Sequence, residues 1–267
     1  MAGDDTETEL NASYGETVQF GNAADDYTTY RASYPAELFR RLAAFGVGTP
    51  EQRLLDVGTG TGFLANEFAD RGCAVVGLDV DRALLAEARV AGESVGYVRG
   101  ETESLPFPAD TFDAVTAGQC WHWFDRERAA AEARRVLHPG GTVALTHFDW
   151  LPRAGNAIAA TETLILEWSP DWPGGGGTGF YPKWADDLAA AGFEGIESFS
   201  FETTVEYSHE AWRGRIRASA GVGGSLPPEE VRAFDDRLAE LLAKEFPEEP
   251  LELPHRSFTI VGRNPEA

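Results

Sequence analysis

The segment Asp56-Val-Gly58-Thr-Gly60-Thr-Gly62 gathers groups that can hold a ligand through the backbone. Glycines admit φ > 0 and let main-chain N–H groups approach a bound molecule. A dinucleotide fingerprint spaces its glycines G-x-G-x-x-G. Counted from Gly58, the sixth position here is Phe63, and the spacing is G-x-G-x-G. Asp79 lies 21 residues beyond Gly58, at the end of the next apolar run. An acid so placed can take both hydroxyls of a ribose. Asp56, beside the loop, would repel a pyrophosphate and suits an ammonium group. His122 and His147 follow two further apolar runs, and imidazole has a pKa suited to proton transfer near neutrality. Rings crowd the same zone, among them Trp121, Trp123, Phe124, Phe148, Trp150, Tyr181 and Trp184. They either line an organic-ligand pocket or pack a core.

These groups must be positioned by the elements around them. Arg53–Val57 is a short apolar run ending in glycines and reads as a buried strand. Further strands are expected over 74–79, 95–98, 112–117 and 142–146. Helices are expected over 36–45, 63–69 and 83–90, the last capped by Asp81, and from Asp125 to Leu137, ended by His138-Pro-Gly-Gly141. Strands alternating with helices at this pitch predict an α/β fold: a Rossmann-like, mostly parallel seven-stranded sheet with helices on both faces. After Trp150 the pattern changes to helices over 156–168, 183–191, 208–219 and 229–246, forming a C-terminal cap, with two last strands over 195–203 and 257–261 at the sheet edge. The expected organisation is a flexible acidic segment 1–23, a ligand-binding core 24–152, and 153–267 as cap helices plus the last two strands of the same domain.

Composition narrows the function classes. The chain has 267 residues, 44 Asp plus Glu against 22 Lys plus Arg, and a formal charge of −22. Such a field repels phosphate backbones and anionic bilayers, so neither nucleic acid nor membrane is an expected partner. No apolar stretch is long enough to span a bilayer. The N-terminus is acidic and has no apolar core of a secretory signal. Cys73 and Cys120 lack metal-type spacing and fit a reducing cytoplasm. Only Lys183 and Lys244 are lysines. A carboxylate-rich, lysine-poor composition resembles that of proteins from salt-accumulating halophiles.

Leu55-Asp-Val-Gly-Thr-Gly-Thr-Gly62 resembles the first motif of class I S-adenosylmethionine-dependent methyltransferases. Further stretches match in order: 76–81 resembles the ribose-binding strand end, 100–108 the adenine-side loop, 112–124 the fourth strand and its exit, and 134–141 the lead into strand five. Upstream, 24–35 is similar to the N-terminal segment of the branch holding trans-aconitate-type and quinone-biosynthesis-type enzymes, with Ala32 where that branch often has Pro.

The resemblance implies S-adenosylmethionine as cofactor and methyl transfer to a small-molecule acceptor by in-line displacement. It places backbone around Gly58, Gly60 and Gly62 along the methionine moiety, with Asp56 beside it. Asp79 takes the ribose hydroxyls, Val80 lies against adenine, and Glu101 and Thr102 border it. Gln119 sits beside the sulfonium, and Tyr27 and Arg31 close over the cofactor. Substrates bind beyond the carboxyl ends of the strands, which makes His122 and His147 the candidate bases. Two other classes stay open: a non-catalytic adenosylmethionine-binding or regulatory module, and a nicotinamide oxidoreductase, which the glycine spacing disfavours.

Overall fold

In the computed structural model, which describes residue 30 and residues 32–92 and 94–266, seven strands form one sheet in the order β3-β2-β1-β4-β5-β7-β6. They are β1 (Arg53–Val57), β2 (Ala74–Asp79), β3 (Gly96–Arg99), β4 (Phe112–Gly118), β5 (Leu137–Trp150), β6 (Glu194–Tyr207) and β7 (Leu251–Arg263). The helices are α1 (Ala36–Ala44), α2 (Phe63–Asp70), α3 (Arg82–Ala91), α4 (Arg126–Val136), α5 (Ala157–Trp168), α6 (Trp184–Ala190), α7 (His209–Arg217) and α8 (Pro228–Glu245). Four of them start where a side chain satisfies an otherwise orphaned N–H. Asp81 accepts from Ala83, Asp125 from Arg128, Asn156 from Ala159 and Ser208 from Ala211.

From β3 to β5 every neighbouring pair is parallel. The expected mostly parallel sheet is nevertheless corrected, because the sheet is mixed. The Asn264 N–H donates to Gly141 O at 2.8 Å and the Leu151 N–H to Pro254 O at 2.8 Å. Partner numbers fall on one strand as they rise on the other, so β7 runs antiparallel to β5. The single-helix crossover that enforces parallel neighbours is absent at this point of the chain. Two helices in succession, α7 and α8, precede β7. The stretch His138-Pro-Gly-Gly141, expected to end a helix, is the irregular start of β5, with Gly140 at φ +79° and a register shift opposite Phe112 and Ala114.

The chain divides into two compact units. One comprises 33–148, 180–201 and 257–267. Alternation along its strands sends successive residues to opposite faces. Leu54, Val75 and Ala114 join Leu38, Phe39 and Phe68 in one core, while Leu55, Leu78 and Val115 join Trp121, Val136 and Trp184 in the other. The second unit holds 149–179 and 202–256, with residues 30 and 32. Its core is Ile158, Ile165, Trp212, Ile216, Phe234, Leu238 and Leu242. The last three follow each other at helical spacing on one face of α8. Among the described residues no helix is long and apolar enough to cross a membrane.

Candidate active site

The loop leaving β1 turns on three glycines in the left-handed region, at φ +62°, +56° and +82° for Gly58, Gly60 and Gly62. Each is required for a different reason. A Cβ on Gly58 would sit 2.7 Å from the Cys120 sulfur. A Cβ on Gly62 would run into the Tyr97 hydroxyl. A Cβ on Gly60 would meet nothing within 4 Å, so the middle of the loop faces open space and its backbone is reachable. The Thr59 N–H donates to Leu78 O at 3.0 Å and ties the loop to β2.

Asp79 ends β2 and closes this arrangement. Its Oδ2 accepts the Gly60 N–H at 2.8 Å and its Oδ1 accepts the Asp81 N–H at 2.8 Å. Burial raises its pKa against the pull of these donors. Asp56 is almost fully buried and accepts the Thr116 hydroxyl at 2.7 Å across the β1–β4 pair. Desolvation pushes its pKa up to about 6, and the Asp79 charge adds to the rise. Two close acids favour a cationic neighbour. Val80, next to Asp79, is 55% exposed, an apolar side chain left uncovered at the strand end. The Arg99 Nε–H holds its carbonyl at 2.9 Å.

Glu101 is exposed, whereas Thr102 is buried and opens the turn Thr102–Ser104. The loop beyond is pinned to α4. The Leu105 N–H donates to Glu132 at 2.8 Å, and Arg135 donates to the Leu105 and Phe107 carbonyls. Thr102 therefore offers its backbone, not an open side chain, on this side.

At the exit of β4, Gln119 holds φ +57°. Its N–H donates to Thr146 O at 2.9 Å and its side-chain amide donates to Phe148 O. It thus clamps β4 to β5 where their ladder ends. Cys120 is buried beneath the glycine loop, its thiol donating to Val57 O at 3.2 Å. The turn Trp121–Trp123 then presents His122. The His122 and His147 rings, 25 residues apart in sequence, lie 5.4 Å apart between centroids. Tyr181 lies 4.5 Å from His147 and stacks on Trp184 at 4.4 Å, and Trp123 lies 4.7 Å from His122. Trp121 points elsewhere, buried, with its Nε1–H donating to Asp187 at 3.0 Å.

One end of the parallel ladder therefore collects Asp56, the three glycines, Asp79, Val80, Gln119 and the two histidines. The arrangement offers backbone donors and a carboxylate for a nucleoside, an apolar contact for its base, and imidazoles for proton transfer. Tyr27 and Arg31 lie outside the described residues. Two supporting features escaped sequence reasoning. Cys120 fills the space under Gly58. Tyr97, whose hydroxyl donates to Asn66 at 3.0 Å, stands behind Gly62 with its own pKa pushed up to about 12 by burial. Both contacts join residues far apart in sequence, and no local pattern announces them.

Residues 55–145 match the model of the methyltransferase domain family. A protein of Mycobacterium tuberculosis described as an uncharacterized methyltransferase is 36% identical over 148 residues, which are 53% of this chain and 59% of that protein. The malonyl-[acyl-carrier protein] O-methyltransferase of Enterobacter lignolyticus is 35% identical over 54% of this chain and 58% of its own. The chain thus spans little more than half the length of these relatives. Among solved structures, phosphoethanolamine N-methyltransferase 2 of Haemonchus contortus, in complex with S-adenosyl-L-methionine, superposes with a TM-score of 0.55 at 17% identity, over 92% of this chain and 57% of that one.

Proposed function

We propose, from the match of residues 55–145 to the methyltransferase domain family, that the chain transfers the methyl group of S-adenosylmethionine to a small-molecule acceptor. The observation that carries this is the pairing of Asp79 with the Gly60 amide beside an uncovered Val80. These residues fit the cofactor: Asp79 for the ribose hydroxyls, Val80 and the Glu101–Thr102 backbone for adenine, and the Gly58–Gly62 backbone with Asp56 for the amino-acid end. Tyr27 and Arg31, which lie outside the described residues, are proposed to close over it. Bound there, the cofactor supplies an electrophilic methyl carbon on a sulfonium.

The chain's own residues then orient and exclude water. The Gln119 clamp fixes the root of the β4 exit, so His122 is presented from a rigid base. His122 and His147, at 5.4 Å, are the groups that hold the acceptor's proton, His147 within an aromatic surround of Tyr181 and Trp184. A purely regulatory cofactor-binding module has no use for this histidine pair. The acidic, lysine-poor composition supports a protein adapted to a salt-rich cytoplasm. Calorimetry with S-adenosylmethionine, S-adenosylhomocysteine and NAD tests the reading. Micromolar binding of the first two is expected, and binding of NAD alone would replace methyl transfer with hydride chemistry.

A further inference from the structure

Helix α7 carries arginines at alternate positions, Arg213, Arg215 and Arg217, and the structure treats them differently. Arg213 and Arg217 share Asp235, the former through Nε at 3.1 Å and the latter through Nη1 at 3.0 Å. Both also reach Glu210 at 3.3 Å. Two residues along a helix is a rotation of about 200°, so Arg215 faces the opposite way. There it forms neither an ion pair nor a hydrogen bond with any described residue. Its guanidinium lies over the Trp150 indole, 4.8 Å from the ring centre.

Arg215 is half-buried, and its surroundings are fixed. The Trp150 Nε1–H donates to Glu162 Oε1 at 2.7 Å, and the other Glu162 oxygen accepts the Gly176 N–H at 2.8 Å, so that acid is committed and the indole is fixed. Trp150 packs edge-on to Trp212 at 5.4 Å, and Trp212 to Tyr207 at 5.4 Å. His255, buried, shares a hydrogen bond of its Nδ1 with Leu253 O at 2.9 Å, and burial together with the Arg215 charge keeps the ring neutral. Asp149 and Tyr207 are the remaining groups whose charge reaches Arg215. Burial works against the guanidinium's charge, which is costly to leave without an oxyanion. In a chain with twice as many acids as bases, scarcity of carboxylates does not explain a cation left so.

We propose that Arg215, held flat by Trp150, receives an anionic oxygen group, carboxylate or phosphate, of a small organic molecule. The planar guanidinium presents paired donors matched to such a group, and the half-buried Trp150 indole beside it suits an unsaturated or aromatic body attached to that group. This anion site does not depend on the function proposed above.

Calorimetry on the full chain, with S-adenosylhomocysteine present, tests the anion site and the cofactor site independently. Benzoate, phenyl phosphate and neutral benzamide are the probes. At least one anion is expected to bind about tenfold or more tightly than benzamide. Arg215→Met should abolish that preference, and Arg215→Lys, which keeps the charge and loses the fork, should reduce it. Arg237→Met, on the exposed side of α8, should leave it intact. Equal binding of all three probes by the unmodified chain overturns the proposal without any variant, as does an undiminished preference in Arg215→Met. Anion preference without S-adenosylhomocysteine binding would keep the Arg215 site and remove the methyl-transfer reading.

Discussion

One carboxylate oxygen of Asp79 accepts the Gly60 N–H at 2.8 Å, so the acid that ends β2 is tied to the middle of the loop that leaves β1. Asp79→Ala removes both the tie and the ribose acceptor. Charge-assisted hydrogen bonds contribute roughly 1.5–3 kcal/mol each, so S-adenosylhomocysteine affinity should fall about 10- to 100-fold. Asp79→Asn, which keeps one acceptor oxygen, should fall between. Calorimetric titration checks both, and unchanged affinity in Asp79→Ala would displace Asp79 from the cofactor site.

Gly58→Ala should destabilise the fold. It forces a side chain into φ +62° and brings its Cβ 2.7 Å from the Cys120 sulfur. Together the strain and the overlap are worth about 2–4 kcal/mol. Adding Cys120→Ala removes the sulfur but keeps the residue-120 Cβ, 2.8 Å away, so it should recover only part of the overlap. Urea unfolding of the single and double variants reads this directly, and full recovery in the double variant would show the dihedral to be harmless.

Much of this arrangement was legible in the sequence, and the reason is local. The strand from Arg53, the glycine spacing, the acid at 79 and the caps at Asp81 and Asp125 are written in neighbouring residues. What was not legible depends on partners remote in the chain. The reversal of β7 follows from where the chain re-enters the sheet after two helices. The Trp121 ring, for which the sequence left pocket lining and core packing both open, is buried and turns to Asp187, 66 residues later. The closeness of His122 to His147 follows from the β4–β5 register and has no counterpart in spacing.

Asp56 should make stability depend on pH in a defined sense. Its folded pKa, about 6, lies above its ordinary 3.8, so the folded chain holds this proton more tightly. The associated stability is full below pH 4 and is lost as pH rises through 6. Asp56→Asn should therefore raise the melting temperature above pH 6, by at most roughly 3 kcal/mol of stability, and change little below pH 4. Thermal melts at pH 4 and pH 7.5 check it; a gain at pH 4 equal to that at pH 7.5 would assign the effect to packing.

With an acceptor in hand, His122→Gln and His147→Gln should lower kcat and leave S-adenosylhomocysteine binding intact. A general base typically contributes about 10²–10⁴-fold. Unchanged kcat–pH profiles in both variants would leave orientation alone to drive the transfer.

The −22 charge should make the fold salt-dependent. Mutual repulsion of carboxylates weakens as the Debye length shrinks from about 10 Å at 0.1 M to about 3 Å at 1 M. Melting followed from dilute to molar KCl should show a marked rise. A flat profile would remove the halophilic reading and leave the enzyme reading untouched.

The Tyr97–Asn66 hydrogen bond reaches further than its place behind the loop suggests. A Cβ on Gly77 would meet the Tyr97 ring at 2.8 Å, and one on Gly92 would collide with the Asn66 amide, although neither glycine needs a positive φ. Only Gly62 is held by its own dihedral as well. Gly92 is therefore hostage to Asn66, and Gly77 to Tyr97 together with the Thr59 hydroxyl at 2.9 Å: a lineage that shortened residue 66 would free position 92, whereas 77 would stay closed by Thr59 and 62 by its own dihedral. Among descendants of this chain, 66 and 92 should drift as a covarying pair, independently of the cofactor.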